Sequence, residues 1–366
     1  MAIIVSLLFS YIFDWVVVAV VAAAGGVLNY INGFHRPFSL TDVTIAYPNK
    51  PDIVSIPVVV IVALVAPAGI IAALNLSSVP MFHDRAERHR FQRAFWEIHV
   101  GCLGLCAGLA VTLFVTSGLK DLVGKPRPNL LARCEPDLAR ISQFIVGGFG
   151  DSLNSEAESL VTGAICQQTN HRLLDDSFAA FPSGHSSFSC AGLVYLSLWL
   201  CARFSLGLPY LDLSLNAPSY RSGKHQAAAS ARDKQAAPPL WQMALAFAPI
   251  VAALFICASR YADFHHAGFD IISGAIIGTV FAWTSFRVYH LPTKRGYGLL
   301  AGGPRNKRHA FISGLDNNEV PDEERGVVTD YELNTHNTGA PERVPTSGSG
   351  QPIMPLRDNS TARPRY

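Results

Sequence analysis

Charge is what this chain has least of. Charged residues fill 15% of its 366 positions, against roughly a quarter in soluble domains, which excludes an ordinary water-soluble globule. Neither sign dominates. The formal net charge is +2, so the balance offers no argument for nucleic-acid binding, and no nucleic-acid partner is expected. The seven cysteines include no CxxC pair and no zinc-finger spacing, which argues against a structural metal site. Cys102, Cys106, Cys190, Cys201 and Cys257 lie inside apolar runs, where a thiol acts as a small hydrophobe. Internal repeats are also lacking, and the closing "ARPRY" carries no retention motif.

What is present is apolar: 49% hydrophobic residues and a mean hydropathy of +0.25. A membrane-spanning helix needs about 20 mostly apolar residues. Six segments qualify: Trp15–Ile31, Val54–Leu76, Phe95–Leu119, Ser186–Phe204, Trp241–Ala258 and Ala267–Tyr289. The expected fold is therefore all-α, a polytopic membrane protein with six transmembrane helices. Residues 2–13 form a further apolar run interrupted at Asp14, read as an interfacial lead-in. The alternative there is a cleaved signal peptide, disfavoured by the missing basic n-region and by Asp14 and Trp15 in mid-segment.

Orientation follows from where basic residues collect. Arg85, Arg88, Arg90 and Arg93 crowd a short connection after the second segment. Arg203, Arg221, Lys224, Arg232 and Lys234 follow the fourth, and Lys294, Arg295, Arg305, Lys307 and Arg308 follow the sixth. With six spans these all fall on one side, so that side and both termini are expected to be cytosolic. A membrane domain then covers 1–294, with a lumenal loop at 120–182 and a cytosolic loop at 205–239. The polar tail, 295–366, is expected to be disordered. Cys134 and Cys166 are the only cysteines of the lumenal loop, so an oxidising compartment makes them the expected disulfide, with two free thiols as the alternative.

Three polar clusters fall at the non-cytosolic ends of these segments: "KDLVGKPRP" from Lys120, "PSGH" from Pro182 and "SRYADFHHAGFD" from Ser259. Lys120, Arg127 and Arg260 would supply positive charge, the arginines gripping planar oxygen pairs. Ser183 and Gly184 begin a helix, where backbone N–H groups and the dipole favour an anion. His266 and Asp270 lie four apart, on one helical face, so the carboxylate is expected to hold the far nitrogen of the imidazole. That makes His266 a nucleophile and leaves His185 as a proton donor. His265 and Asp263 are expected to face elsewhere. Each cluster has a bland reading: interfacial anchor for Lys120, capping turn for "PSGH", structural hydrogen bond or half a metal site for His266 and Asp270. Their coincidence on one side favours a phosphate-handling site with its active face non-cytosolic.

Together the clusters resemble the three-part signature of the type 2 phosphatidic acid phosphatase superfamily, K-x6-R-P, P-S-G-H and S-R-x5-H-x3-D, with every fixed position filled. The resemblance extends over "FHRPFSLTDVTIAYP" and roughly residues 14–290, and is to the lipid phosphate phosphatase and diacylglycerol pyrophosphate phosphatase branch. It implies that Lys120, Arg127 and Arg260 bind phosphate, that Ser183 and Gly184 contact it, and that His185 protonates the leaving group. It implies further that His266 is phosphorylated, that Asp270 orients it, and that neither metal nor other cofactor takes part. The implied substrate is a phosphorylated lipid in the bilayer, at an endomembrane (vacuole, Golgi or endoplasmic reticulum) or the plasma membrane. The same signature resembles polyprenyl diphosphate phosphatases, glucose-6-phosphatases and vanadium haloperoxidases, the last disfavoured by six spans. A non-catalytic lipid-phosphate binder or transporter is the rival of another class, but binding alone needs no histidine pair.

Overall fold

A computed structural model describes residues 2–31, 33–77, 85–148, 159–204, 206 and 239–290. The expected tail and most of the loop at 205–239 lie outside the described residues. Among the described residues six helices are long and apolar enough to cross a membrane, and the chain is an integral, multi-pass membrane protein. They lie in α1 (Ala2–Leu28), α2 (Ile56–Leu76), α3 (Arg85–Val123), α6 (Gly184–Arg203), α7 (Leu240–Ala262) and α8 (Gly268–Tyr289). Between α3 and α6 the described residues include two short α-helices, α4 (Leu130–Cys134) and α5 (His171–Ser177), and a two-stranded sheet.

Two expectations need correction. Residues 2–13 are no separate lead-in: α1 is one continuous helix through Asp14, with its spanning stretch at Leu8–Leu28. Its polar positions are absorbed by α3, where Trp15 Nε1 donates to His99 Nδ1 at 3.5 Å and Tyr11 packs edge-on to Trp96 at 5.3 Å. A ring with a polar tip can thus carry a helix past an ionisable residue without breaking it. Likewise Arg85–Arg93 are not a loop but the first turns of α3, where Arg93 Nε bonds Glu97 Oε1 at 3.0 Å across one turn.

Helix α6 is the hub. Of its spanning stretch 78% is buried, against 6–50% for the others, because α2, α3, α7 and α8 all pack on it. Lipid is as apolar as Leu, so helices in a bilayer associate through close packing rather than the hydrophobic effect. The α6–α8 contact shows this at Gly278, where an added Cβ would lie 2.1 Å from the Ser187 carbonyl oxygen. Trp199 and Tyr195 fill the hub's other faces, fully buried, with Tyr195 Oη donating to the Gly101 carbonyl at 2.9 Å. In α2 the backbone widens into a π-type turn over Ile61–Val65, one turn before Pro67. Proline has no N–H to return to the Ala63 carbonyl, so the regular ladder is interrupted there.

A small cap covers one end of the bundle. Strands β1 (Ile145–Gly148) and β2 (Ser159–Val161) pair antiparallel, with Ile145 opposite Val161 and Gly148 opposite Ser159. Phe38, from the α1–α2 connection, adds to the edge through two backbone bonds with Val161, 2.9 and 3.1 Å. Phe38, Ile45, Leu130, Cys134, Val161 and Phe178 form its core. Cys134 and Cys166 are disulfide-bonded, as expected. A core this small is held together partly by such a staple.

Candidate active site

The three clusters meet where the cap sits on the bundle. Lys120 lies in the last turn of α3, Arg260 in the last turn of α7, and Asp270 in the first turn of α8. Ser183 caps α6, its Oγ accepting from the Ser186 N–H. Chain direction alternates through the bundle, so these ends share one face. Backbone bonds then lock the clusters together. Ser183 N–H donates to the Asp270 carbonyl at 2.9 Å, Ala180 N–H to Lys125 at 3.0 Å, and Arg127 N–H to Ser177 at 2.8 Å.

His266 is buried, and its Nδ1 lies 2.7 Å from the Ala180 carbonyl oxygen. A carbonyl can only accept, so Nδ1 carries the proton and Nε2 is left with its lone pair. Burial pushes the His266 pKa well below the ordinary 6.5, and the charges of Arg127 and Lys120 push it further. The ring is therefore neutral at physiological pH. A neutral imidazole with a lone pair beside fixed cations has the chemistry needed to attack an anion.

The expected His266–Asp270 bond is not formed. Asp270 is fully buried and has other partners: Oδ1 takes the Lys125 ammonium at 2.6 Å, and Oδ2 accepts the Ala267 N–H at 3.0 Å. The two residues straddle the start of α8, which begins only at Gly268. The four-residue spacing therefore never becomes a helical face. Asp270 caps the turn that follows His266, while a main-chain carbonyl fixes the His266 tautomer.

Gly184 lets the first and second clusters touch. Lys120 Nζ would lie 3.3 Å from a Cβ placed there, so glycine admits the ammonium to the helix start. Ser183's N–H is committed to Asp270, which corrects its expected role as an amide donor to phosphate; the amides at this terminus without intrahelical acceptors begin at Gly184 and His185. His185 Nε2 is 3.1 Å from the Val54 carbonyl oxygen and 3.5 Å from Arg260 Nη1. By the same argument its Nε2 bears a proton.

The arginines sit in a ring of carboxylates that the sequence reading missed. Asp176, on α5, takes Arg127 Nη2 with one oxygen and Arg133 Nη1 at 2.9 Å with the other. Burial alone would raise its pKa, but Arg127, Lys120 and Arg133 outweigh that and hold it below the usual carboxylate range. Arg127 is buried, and its Nε has no partner among the described residues. An unpaired N–H of this kind is costly unless a ligand takes it.

Arg260, 1% exposed, is paired with buried Asp263, one helical turn on, and bonds Asp52 Oδ1 at 2.9 Å through Nη1. Asp263 and His265, expected to face elsewhere, are both buried behind it. His265 Nδ1 lies 3.0 Å from Asp263 Oδ1, and its Nε2 lies 3.0 Å from Arg133 Nη2. The Arg260–Asp263 spacing was a readable signal in the sequence. Nothing there pointed to Asp52, Arg133 or Asp176, which folding alone brings in. Asp52, Asp263 and His265 are also close enough to share a cation, but Arg260 and Arg133 already fill that position with positive charge.

A model of the PAP2 superfamily matches residues 101–294, more than half of the chain. The protein belongs to the PAP2 superfamily. Among its relatives, diacylglycerol pyrophosphate phosphatase 1 of Saccharomyces cerevisiae is 29% identical over 70% of this chain and 72% of its own length. Lipid phosphate phosphatase 2 of Arabidopsis thaliana is 26% identical over 74% and 73%. A PA-phosphatase related-family protein of Dictyostelium discoideum is 26% identical over 76% and 69%. No solved structure matches the chain.

Proposed function

We propose that this protein is an integral-membrane lipid phosphate phosphatase. It hydrolyses phosphomonoester or diphosphate head groups, such as those of phosphatidic acid, lysophosphatidic acid or diacylglycerol diphosphate, through a phosphohistidine. The observation that carries this reading is the Nδ1 bond of His266 to Ala180, which leaves the buried, neutral ring with a lone pair on Nε2 in the field of Arg127 and Lys120.

The steps follow from that geometry. Nε2 of His266 attacks phosphorus, an N–P bond forms, and the P–O bond to the lipid breaks. His185, entering as the imidazolium, gives one proton to the departing oxygen and is left as the neutral ring. It then takes one from the water that attacks the phosphohistidine, which releases inorganic phosphate and restores His266. Lys120, Arg127, Arg260 and the amides at Gly184 and His185 balance the charge that builds on the phosphoryl oxygens. Those fixed cations take the part a metal would otherwise play, so turnover needs none.

The family and the names of the relatives support a lipid substrate, as does a site set where helices leave the bilayer. The Cys134–Cys166 disulfide beside the site supports a lumenal or extracellular active face, with both termini cytosolic. In the test, purified protein in detergent micelles receives phosphatidic acid or diacylglycerol diphosphate with EDTA present, and inorganic phosphate is measured. Wild type releases phosphate and carries an acid-labile, base-stable phosphoryl label. His266→Ala does neither. Phosphate release by His266→Ala at the wild-type rate, or abolition of wild-type activity by EDTA, refutes the mechanism.

A further inference from the structure

Arg260 has no unoccupied edge. Its Nε contacts Ser259 Oγ at 3.4 Å, Nη2 is paired with Asp263, and Nη1 is bonded to Asp52 at 2.9 Å. The Nη1 edge is the one turned to the reaction, since His185 Nε2 lies 3.5 Å from it. Arg127 differs: among the described residues its Nε has no partner even with Asp176 in place. A phosphate can therefore join Arg127 without displacing anything, but it meets Asp52 at Arg260.

The other carboxylates on this side of the site are fixed. Asp263 and Asp270 are fully buried, and Asp176, although its side chain is 45% exposed, is held by both oxygens between two arginines. The Asp52 side chain is 39% exposed and uses a single oxygen for both Arg260 Nη1 and, at 3.3 Å, His265 Nε2, so one oxygen has to be released for it to swing into water. Its backbone is anchored on both sides. Asn49 Oδ1 accepts from Asn129 at 3.2 Å and Arg133 at 3.1 Å, while Val54 is buried beneath the site with its carbonyl on His185.

On the reading of the site as a lipid phosphatase centre, we infer that Asp52 is a resident anion that competes with phosphate for Arg260. In the empty enzyme it neutralises a buried guanidinium that would be costly to leave half-paired. Substrate binding displaces it into solvent. As product leaves it returns to Nη1, which weakens the hold on inorganic phosphate and clears the site. Asp52 is thus a positioning residue for Arg260 and sets the affinity for the phosphate group.

If the carboxylate holds Nη1 about nine-tenths of the time, only about a tenth of the enzyme is ready for phosphate, and apparent affinity falls tenfold. Asp52→Asn removes the competing charge. Inhibition of phosphatidic acid hydrolysis by inorganic phosphate should then tighten about tenfold, whereas Asp52→Glu should retain the wild-type inhibition constant. Asp52→Ser serves as a second neutral variant should the first fold poorly. Calorimetric titration of inorganic phosphate into His266→Ala protein, with and without Asp52→Asn, should show the same tightening with no turnover. An unchanged or weaker phosphate affinity in both neutral variants overturns the inference and leaves Asp52 a mere prop for Arg260. If wild type hydrolyses no lipid phosphate, the lipid-phosphatase reading fails instead, and the titration still decides the role of Asp52.

Discussion

Replacing either partner of the Lys125–Asp270 pair should have unequal effects, and the inequality reports what Asp270 does. Its carboxylate is fully buried, while the Lys125 side chain is 32% exposed, and the pair is 2.6 Å apart. Asp270→Asn keeps one oxygen, which can serve the Ala267 N–H, while its NH2 then faces the Lys125 ammonium. The charged bond to Lys125 is lost, and the partly exposed lysine turns to water. The cost should be about 1–2 kcal/mol. Lys125→Met is worse, because it strands a buried carboxylate, and breaking a buried pair that way costs about 3–5 kcal/mol. Unfolding followed in detergent should therefore rank Lys125→Met below Asp270→Asn. The pH–rate profile supplies a second reading. Asp270 makes no bond to His266, whose Nδ1 belongs to Ala180, so the acid limb should stay in place in Asp270→Asn even as turnover falls. A reversed stability order, or an acid limb that moves with Asp270→Asn, refutes this assignment.

His266 should give activity an acid limb below its ordinary pKa of 6.5, since its folded pKa lies well below that value. The same shift bears on stability: between the two pKa values the unfolded chain binds the extra proton, so stability is lost as pH falls below about 6.5. His266→Gln should flatten that part of the curve. Loss of the Cys134–Cys166 bridge, which closes a separation of 32 residues, should cost about 3–4 kcal/mol in the chain-entropy model. Alkylation before reduction should leave both thiols unlabelled in the native protein. Gly278→Ala should cost about 1–3 kcal/mol or more by forcing α6 and α8 apart. Gly69→Ala, whose Cβ would meet nothing within 4 Å, should be tolerated in the same denaturation assay. Asn75 should carry no glycan although it begins a sequon, because it is buried in α2 with its amide on the Ile71 carbonyl.

Local pattern made much of this protein legible from its residues alone. The length of each apolar run set the six helices, since a bilayer demands about 20 such residues regardless of what packs alongside. Lys120, Arg127, His185, Arg260 and His266 stood out because three clusters of cations and histidines coincide on one side, although each alone reads as an anchor, a cap or a structural bond. The two cysteines outside apolar runs announced their bridge. Partners were another matter. Spacing suggested Asp270 for His266, but spacing implies a shared face only inside a continuous helix, and the chain turns between these two residues. The carbonyl of Ala180 took that place instead, and a carbonyl has no signature in a sequence because every residue carries one. Asp52 and Asp176 lie 208 and 49 residues from the arginines they hold. Only the closing of the cap over the bundle brings those opposite charges within a hydrogen bond, where burial makes the pairing count.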